Sequence, residues 1–312
     1  AADAGGRAWR VIAVDQLDMG FSERTDAHRP LAQRVADLGA FTDAVDLDGP
    51  VVTLGHDWGG VISLGWAVDH PALLTGVMLL NTAVSHPDGI PIPAPLRVAG
   101  ARGVLAASTI ATTAFLDTTL GLASPSLDAA TEAAYRAPYS SPERRRAIGG
   151  FVADIPVDAA HESHAELERI AAAVAGLEVP ALLLWGPKDP VFSDRYLDDL
   201  IDRQPHADVH RFEGAGHMVA EERTYADAVL TWLGDNAALL GSGGIDSPRA
   251  AAPDTAPFTP IWRGLDDRRD DDAVAIVDMS SGGHGVHGGP RRVSWRLLDD
   301  RVRRIAARLH RI

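Results

Sequence analysis

Asp57 stands in the stretch GHDWGG (55–60), where the β-branched apolar run VVTL (51–54) ends and a helical pattern begins. An aspartate at the tip of a strand-to-helix turn has the surroundings of a nucleophile. Gly55 and Gly59, two places either side, leave the backbone room to turn sharply, and the helix N-terminus behind favours negative charge. The competing reading is a helix N-cap, the usual role of a loop aspartate; strand before and helix after favour the nucleophile. With an ordinary pKa of about 3.9, the carboxylate is ionised at neutral pH and needs no base to activate it. It suits displacement at a saturated carbon carrying a leaving group, which gives an alkyl-enzyme ester. Carbon–halogen and strained carbon–oxygen bonds are the expected targets.

Such a nucleophile wants a base and an acid. His217 lies in FEGAGHMVAEE, after the last strand-like run, and Asp189 in LLLWGPKDPVF, after the run 181–185. A lone histidine is ordinarily structural, and Asp189 between Pro187 and Pro190 would pass for a turn residue. Both follow strands at the end where ligands gather in open α/β sheets. The chain order nucleophile, acid, base is also that of known triads. The alternative place for the acid, at the end of run 76–80, holds Asn81, which cannot serve. Trp58 either packs or donates its indole N–H to a leaving anion. His161 and His164 have helical i, i+3 spacing but no third metal ligand is evident, so a solvated face is expected. SSGGHGVHGGP (280–290) lacks the Gly-Lys-Ser/Thr ending of a phosphate loop and reads as a hairpin turn.

Strands are expected at 10–14, 51–54, 76–81, 181–185 and 208–212, and helices at 31–46, 59–70 and 193–203. Apolar strands alternating with helices predict an α/β fold with a parallel sheet covered on both faces. Between 83 and 176 the alternation lapses into Pro-rich loops and Ala-rich helices, which reads as an inserted helical cap. The domains expected are 1–235, a Gly/Pro/Ala-rich linker at 236–258, and a second α/β unit opening at 259–312. In that unit AVAIVDM and RRVSW read as two strands joined by a Gly-rich loop. A helix is expected from Trp295, its basic side a solvated face.

Acidic residues number 43 against 29 basic, for a net charge of −14, which argues against a nucleic-acid surface. With no cysteine, disulfides and thiolate chemistry are excluded. No secretory leader opens the sequence, and the longest weakly polar run, 103–116, is too short to span a membrane. A cytoplasmic protein is expected. Position 1 is alanine, and a fragment is expected.

The segments LGHDWGG, WGPKDPVF and GAGHMVAEE resemble the haloalkane-dehalogenase branch of the α/β-hydrolases. Within it LNTAVSHP (80–87) and APYSSPERRRAIGGFVADIP (137–156) look most like the β-lactone decarboxylases of bacterial long-chain olefin biosynthesis. The tail from 261 is similar to the opening of AMP-forming acyl ligases, as in fusions with a ligase-like β-lactone synthetase. The resemblance implies that Asp57 opens a long-chain disubstituted β-lactone and that loss of CO2 gives a cis-alkene. His217, held by Asp189, would manage protons or orient the intermediate. His56, Trp58 and Asn81 are the expected substrate contacts. It implies no cofactor for the hydrolase part, ATP and magnesium only for a ligase domain, and partners in an olefin-biosynthesis assembly. The same triad also fits a haloalkane dehalogenase or an epoxide hydrolase, the latter with Tyr135 or Tyr139 on the ring oxygen. The non-catalytic alternative is an inactive fragment or assembly module. The family's first strands and His-Gly-Asn-Pro-like loop find no match, so an N-terminally truncated fold, inactive by itself, is expected.

Overall fold

Two strands, β2 (Leu74–Leu80), apolar from Val77 onward, and the wholly apolar β3 (Ala181–Trp185), form the middle of a parallel sheet. β1 (Val51–His56) flanks β2 and β4 (Asp208–Arg211) flanks β3, giving the order β1-β2-β3-β4, every pair parallel. This computed structural model describes residues 9–25, 27–47, 49–86, 92–101, 103–241, 274–278 and 291–294, the last two segments as backbone.

Side chains alternate across the central strands, so each strand feeds two cores. Val77, Leu79, Leu183 and Trp185 face one core. There they meet α1 (Leu31–Ala44), α2 (Trp58–Asp69), α7 (His164–Val174) and α8 (Asp194–Arg203) through Val35, Ile62, Ile170 and Leu200. Met78, Leu80, Leu182 and Leu184 face the other, packed on Val219, Trp232, Leu233 and Leu240. These come from α9 (Val219–Glu222), α10 (Tyr225–Asp235) and α11 (Ala237–Leu240). Burial on both faces is why the strands carry no polar alternation.

The β2–β3 connection carries the cap. It contains α3 (Ala94–Ala99), one π-helical turn (Ala106–Ala111), α4 (Ala114–Leu120), α5 (Ala129–Arg136), a 3-10 turn (Ala137–Tyr139) and α6 (Pro142–Ala153). α5 starts where the Asp128 carboxylate accepts the amides of Ala130 and Thr131. Ser141 accepts the Arg144 amide at the start of α6, with Pro142 in the first turn.

Three expectations need correction. Residues 10–14 form no strand: they run exposed, Val11 at 75%, with no ladder partner among the described strands. A strand persists only where a neighbour takes up its amides and carbonyls. The cap ends earlier than 176, because α7 buries Ile170 and Val174 in the body's core. The linker expected from 236 begins instead with α11, whose Leu240 is fully buried; its remainder lies outside the described residues.

Residues 246–312 form a separate unit. Within it β5 (Val274–Asp278) and β6 (Arg291–Ser294) pair antiparallel, as the two strand-like runs suggested. The expected Gly-rich loop and the helix from Trp295 lie outside the described residues.

Candidate active site

β1 delivers Asp57 into a strained backbone conformation, φ 51° and ψ −126°. A non-glycine residue holds such a conformation only where its surroundings enforce it. The Asp57 amide donates to the Asn81 carbonyl at 3.1 Å, and its carbonyl accepts from the Thr82 hydroxyl at 2.6 Å and the Gly60 amide at 2.9 Å. The side chain makes no capping bond to α2, so the N-cap reading does not hold. Gly55 is required sterically: a Cβ there would lie 2.3 Å from the Gly59 carbonyl oxygen. A Cβ on Gly59 would meet open space, so the second glycine of the motif is not needed for room.

His217 is 4% exposed and lies between two carboxylates. Its Nδ1 donates to Asp189 Oδ2 at 2.9 Å, and its Nε2 stands 3.5 Å from Asp57 Oδ2. Burial by itself disfavours the imidazolium, but the two anionic partners prevail and raise its pKa to about 10. Burial likewise pushes the Asp57 carboxyl up. The hydrogen bond and charge of His217 outweigh that, with smaller help from His56 and the Trp58 amide, and hold it below the usual range. At neutral pH the pair of Asp57 and His217 is therefore a carboxylate facing an imidazolium.

Asp189 is enclosed by donors. Oδ2 accepts from His217 and from Asn81 Nδ2 at 3.0 Å, and Oδ1 from the Val191 amide at 2.7 Å. Asn81 is itself fixed, accepting the Gly186 amide on Oδ1 and donating to the Gly186 carbonyl from Nδ2. It is fully buried and absent from the cavity wall, which corrects the expectation of a substrate contact. Asn81 braces the acid, because the end of β2 lies behind the triad.

His56 and Trp58, the other two expected substrate contacts, line the cavity. His56 Nε2–H donates to the His217 carbonyl at 2.8 Å. Burial first, then the nearby His217 charge, depresses its pKa, so the ring stays neutral with Nδ1 unprotonated. Trp58 meets Phe151 edge-on, ring centroids 5.3 Å apart, and its indole N–H donates to no described residue.

Three further residues that the sequence reading did not single out hold the site. Glu222, 8% exposed, accepts the Gly216 amide at 2.5 Å and the Met218 amide at 3.2 Å, bracketing His217. Its position five residues after the histidine, in GHMVAEE, was the available hint. Thr82 clamps the nucleophile's carbonyl. Arg34, 5% exposed, lays its guanidinium 3.5 Å from the centre of the Phe151 ring, and burial brings its pKa down to about 10. His161 donates to the Ala153 carbonyl, and among the described residues no cluster of metal-ligating side chains is found.

The triad opens on a cavity of about 550 Å³. Body residues Leu31 and Val61 and cap residues Phe115, Leu122, Ile148 and Phe151 make most of its wall apolar. Of the two cap tyrosines, Tyr139 lines it, whereas Tyr135 donates outward to Glu221 at 2.7 Å. No helix among the described residues is long and apolar enough to cross a membrane.

Residues 2–224 match the family described as alpha/beta hydrolase fold. The chain is 30% identical over 237 residues to a cis-3-alkyl-4-alkyloxetan-2-one decarboxylase of Shewanella oneidensis, covering 72% of each chain. It is 32% identical over 229 residues to the protein of that name in Xanthomonas campestris pv. campestris, covering 69% of this chain and 75% of the relative. Among solved structures it is similar to a haloalkane dehalogenase of Bradyrhizobium elkani. There the TM-score is 0.64 at 20% identity, covering 72% of this chain and 80% of that one. With its parallel sheet, its strained aspartate elbow and these relatives, the chain belongs to the alpha/beta hydrolase fold family.

Proposed function

We propose that this protein decarboxylates cis-3,4-dialkyl oxetan-2-ones, the β-lactones named for its relatives, to cis-alkenes and CO2. An Asp57 oxygen attacks the ring carbon bearing oxygen. The carbon–oxygen bond breaks, its electron pair stays on oxygen, and the ring opens to a carboxylate joined to an Asp57 ester. The carboxylate then leaves as CO2, and its bonding pair forms the carbon–carbon double bond while Asp57 departs as carboxylate. Atoms and charge balance without water or a net proton.

The stereochemistry follows from the ring. In an oxetanone the carbonyl carbon and the ring oxygen are eclipsed. Backside attack therefore places the new Asp57–carbon bond opposite the carboxyl group at once. Inversion followed by anti elimination is a net syn loss, so a cis lactone gives a cis alkene without rotation. An ester formed in that geometry is ready to fragment before water arrives.

The observation that carries this reading is the placement of His217 between Asp189 and Asp57, which favours its imidazolium form. Fragmentation needs a good carboxylate leaving group, and the imidazolium 3.5 Å away supplies the counter-charge. The apolar cavity suits alkyl chains, whose burial contributes roughly 0.8 kcal/mol per methylene. For the residues after 259 we keep the proposal of an AMP-forming ligase-like opening, with ATP and magnesium belonging there; it is supported by sequence resemblance alone. The hydrolase part is proposed to need no cofactor.

A second reading has one observation in its favour. The uncommitted Trp58 indole N–H beside the nucleophile would suit a departing halide, and the product would be an alcohol. The test is to supply the full-length gene product with a long-chain cis-β-lactone and, separately, a haloalkane. Alkene, β-hydroxy acid and halide are quantified, with Asp57→Ala as control. Alkene that disappears in the variant supports decarboxylation; hydroxy acid or halide release in its place moves the protein to hydrolysis.

A further inference from the structure

Ring opening places a negative charge on the oxygen that leaves the attacked carbon, on the side away from Asp57, and the triad does not provide for it. The cavity wall opposite the body offers a place. Asp15, Gln16, Met19 and Gly20 line the cavity, and the Gly20 amide ties this segment to the cap by donating to Tyr139 Oη at 3.1 Å. That bond uses a lone pair of the phenol and leaves its proton free; no described residue accepts it.

Two guanidinium groups stand behind this phenol. Arg24 donates to the carbonyls of Met19, Ser22, Gly20 and Pro138. Arg144 donates to those of Pro138 and Gly20. All these bonds end on neutral carbonyls, and among the described residues neither guanidinium is ion-paired. Arg24 Nε is buried without a partner, and the Arg24 cation lies 6.0 Å from the centre of the Tyr139 ring. Of the nearby carboxylates, Asp18 is ion-paired with Arg29, so Asp15, at the cavity wall beside Gly20, is the one left facing the two like charges of Arg24 and Arg144.

We propose that Tyr139, in the field of Arg24 and Arg144, takes the carboxyl end of the substrate as the ring opens. The phenol O–H donates to the oxygen that receives the electron pair. The cations stabilise the new charge from behind without touching it, because the terminal nitrogens of Arg24, and Nε and one terminal nitrogen of Arg144, are engaged by carbonyls. A bidentate arginine clamp would hold the carboxylate too well for it to depart. One hydrogen bond within a positive field lowers the cost of opening and leaves CO2 free to go. This subsite rests on the lactone reading, and its test separates the two.

Asp57→Asn removes the nucleophile's charge, as the ester does, and leaves the cavity closed to turnover. In that background, decanoate and decanol are titrated calorimetrically. Decanoate should bind about tenfold more tightly than decanol, the worth of a hydrogen bond to a charged group. Adding Tyr139→Phe should erase the preference and leave decanol affinity unchanged. Adding Arg144→Gln, which keeps the Gly20–Tyr139 bond, should weaken decanoate about threefold through the lost charge. A preference that survives Tyr139→Phe places the carboxylate elsewhere, on His217 for instance, and overturns the subsite. Equal losses for decanoate and decanol would mean that Tyr139 only holds the Gly20 loop, which also overturns it. Failure of the native protein to turn over lactone, with Tyr139-dependent decanoate binding intact, rejects the decarboxylase reading and keeps the carboxylate subsite. Lactone turnover undiminished in Tyr139→Phe rejects the subsite and keeps the reading.

Discussion

Asp189→Asn tests whether the acid is needed for its charge or only for its shape. The carboxylate is surrounded by donors alone: Asn81 Nδ2 and His217 Nδ1 on one oxygen, the Val191 amide on the other. An asparagine side chain carries one acceptor and one NH2 group. With its oxygen toward His217, its NH2 meets the Val191 amide; turned over, its NH2 meets two donors. Asn81 cannot adapt, since a flip would break both of its bonds to Gly186. Each buried donor left unpaired costs about 1–3 kcal/mol. A loss of about 2 kcal/mol corresponds to roughly 4–8 °C in melting temperature for a domain of this size. The second effect is electrostatic. Without the anion on its Nδ1 side, His217 loses much of what raises its pKa to about 10. A cation that is constant at neutral pH in the native protein should then titrate within the assay range. Alkene formation by the variant should fall as pH rises through neutrality, and melting should be followed alongside by circular dichroism. A variant that melts within about 1 °C of the native protein, with a flat pH profile, would falsify the account of a donor-lined, charge-dependent acid.

The native protein should show a flat rate between about pH 6 and about 9, falling as His217 deprotonates near 10, measured as initial alkene formation. Stability should follow the same sign. The folded pKa lies above the ordinary histidine value of about 6.5, so this stabilisation is complete below that pH and is lost as pH climbs through about 10, visible in melts across the range. Gly55→Ala forces a Cβ to 2.3 Å from the Gly59 carbonyl oxygen and should cost about 3 kcal/mol, whereas Gly59→Ala meets open space and should change the urea midpoint little. Equal effects of the two would sink the steric reading of the elbow. Trp58→Phe removes the indole N–H; it should slow any halide release by about tenfold while changing lactone turnover by less than about threefold, compared in parallel assays.

What could be read from the chain was what is encoded locally. The elbow needs a strand, a tight turn and a helix within twenty residues, and VVTLGHDWGGVISLGWAVDHP displays all three. The loops bearing Asp189 and His217 follow recognisable apolar strands, so their position at one end of the sheet came with the alternation. Residues 10–14 show the limit of that reasoning. They have the apolar texture of a strand, but strand formation depends on a neighbour's backbone, which composition does not reveal. Asn81 is expected from the resemblance as a substrate contact; its actual direction, behind the triad, is set by a bond to Gly186 more than a hundred residues away. Glu222 and Arg34 were missed for the same reason. Each is an ordinary charged residue on a helix until tertiary packing buries it against amides or a ring.

The same three side chains can serve hydrolysis or fragmentation, and the difference lies in when His217 must change its charge. With Asp57 ionised, the imidazolium is favoured by two anions. When Asp57 becomes an ester, one of them vanishes and the proton is held by Asp189 alone, so the histidine becomes a better proton donor. A hydrolase must wait in that state until a neutral imidazole can deprotonate water. A lactone-derived ester has a faster course, because its carboxyl group already lies opposite the carbon–oxygen bond to Asp57. As that bond lengthens, negative charge returns to the carboxylate 3.5 Å from Nε2 and restores the pairing that the first step removed. The electrostatic arrangement thus drives the ester back toward free Asp57 at each moment of the second step. What a β-lactone adds to a dehalogenase-like site is an internal electron pair, from the bond to CO2, that reaches the ester carbon before water can.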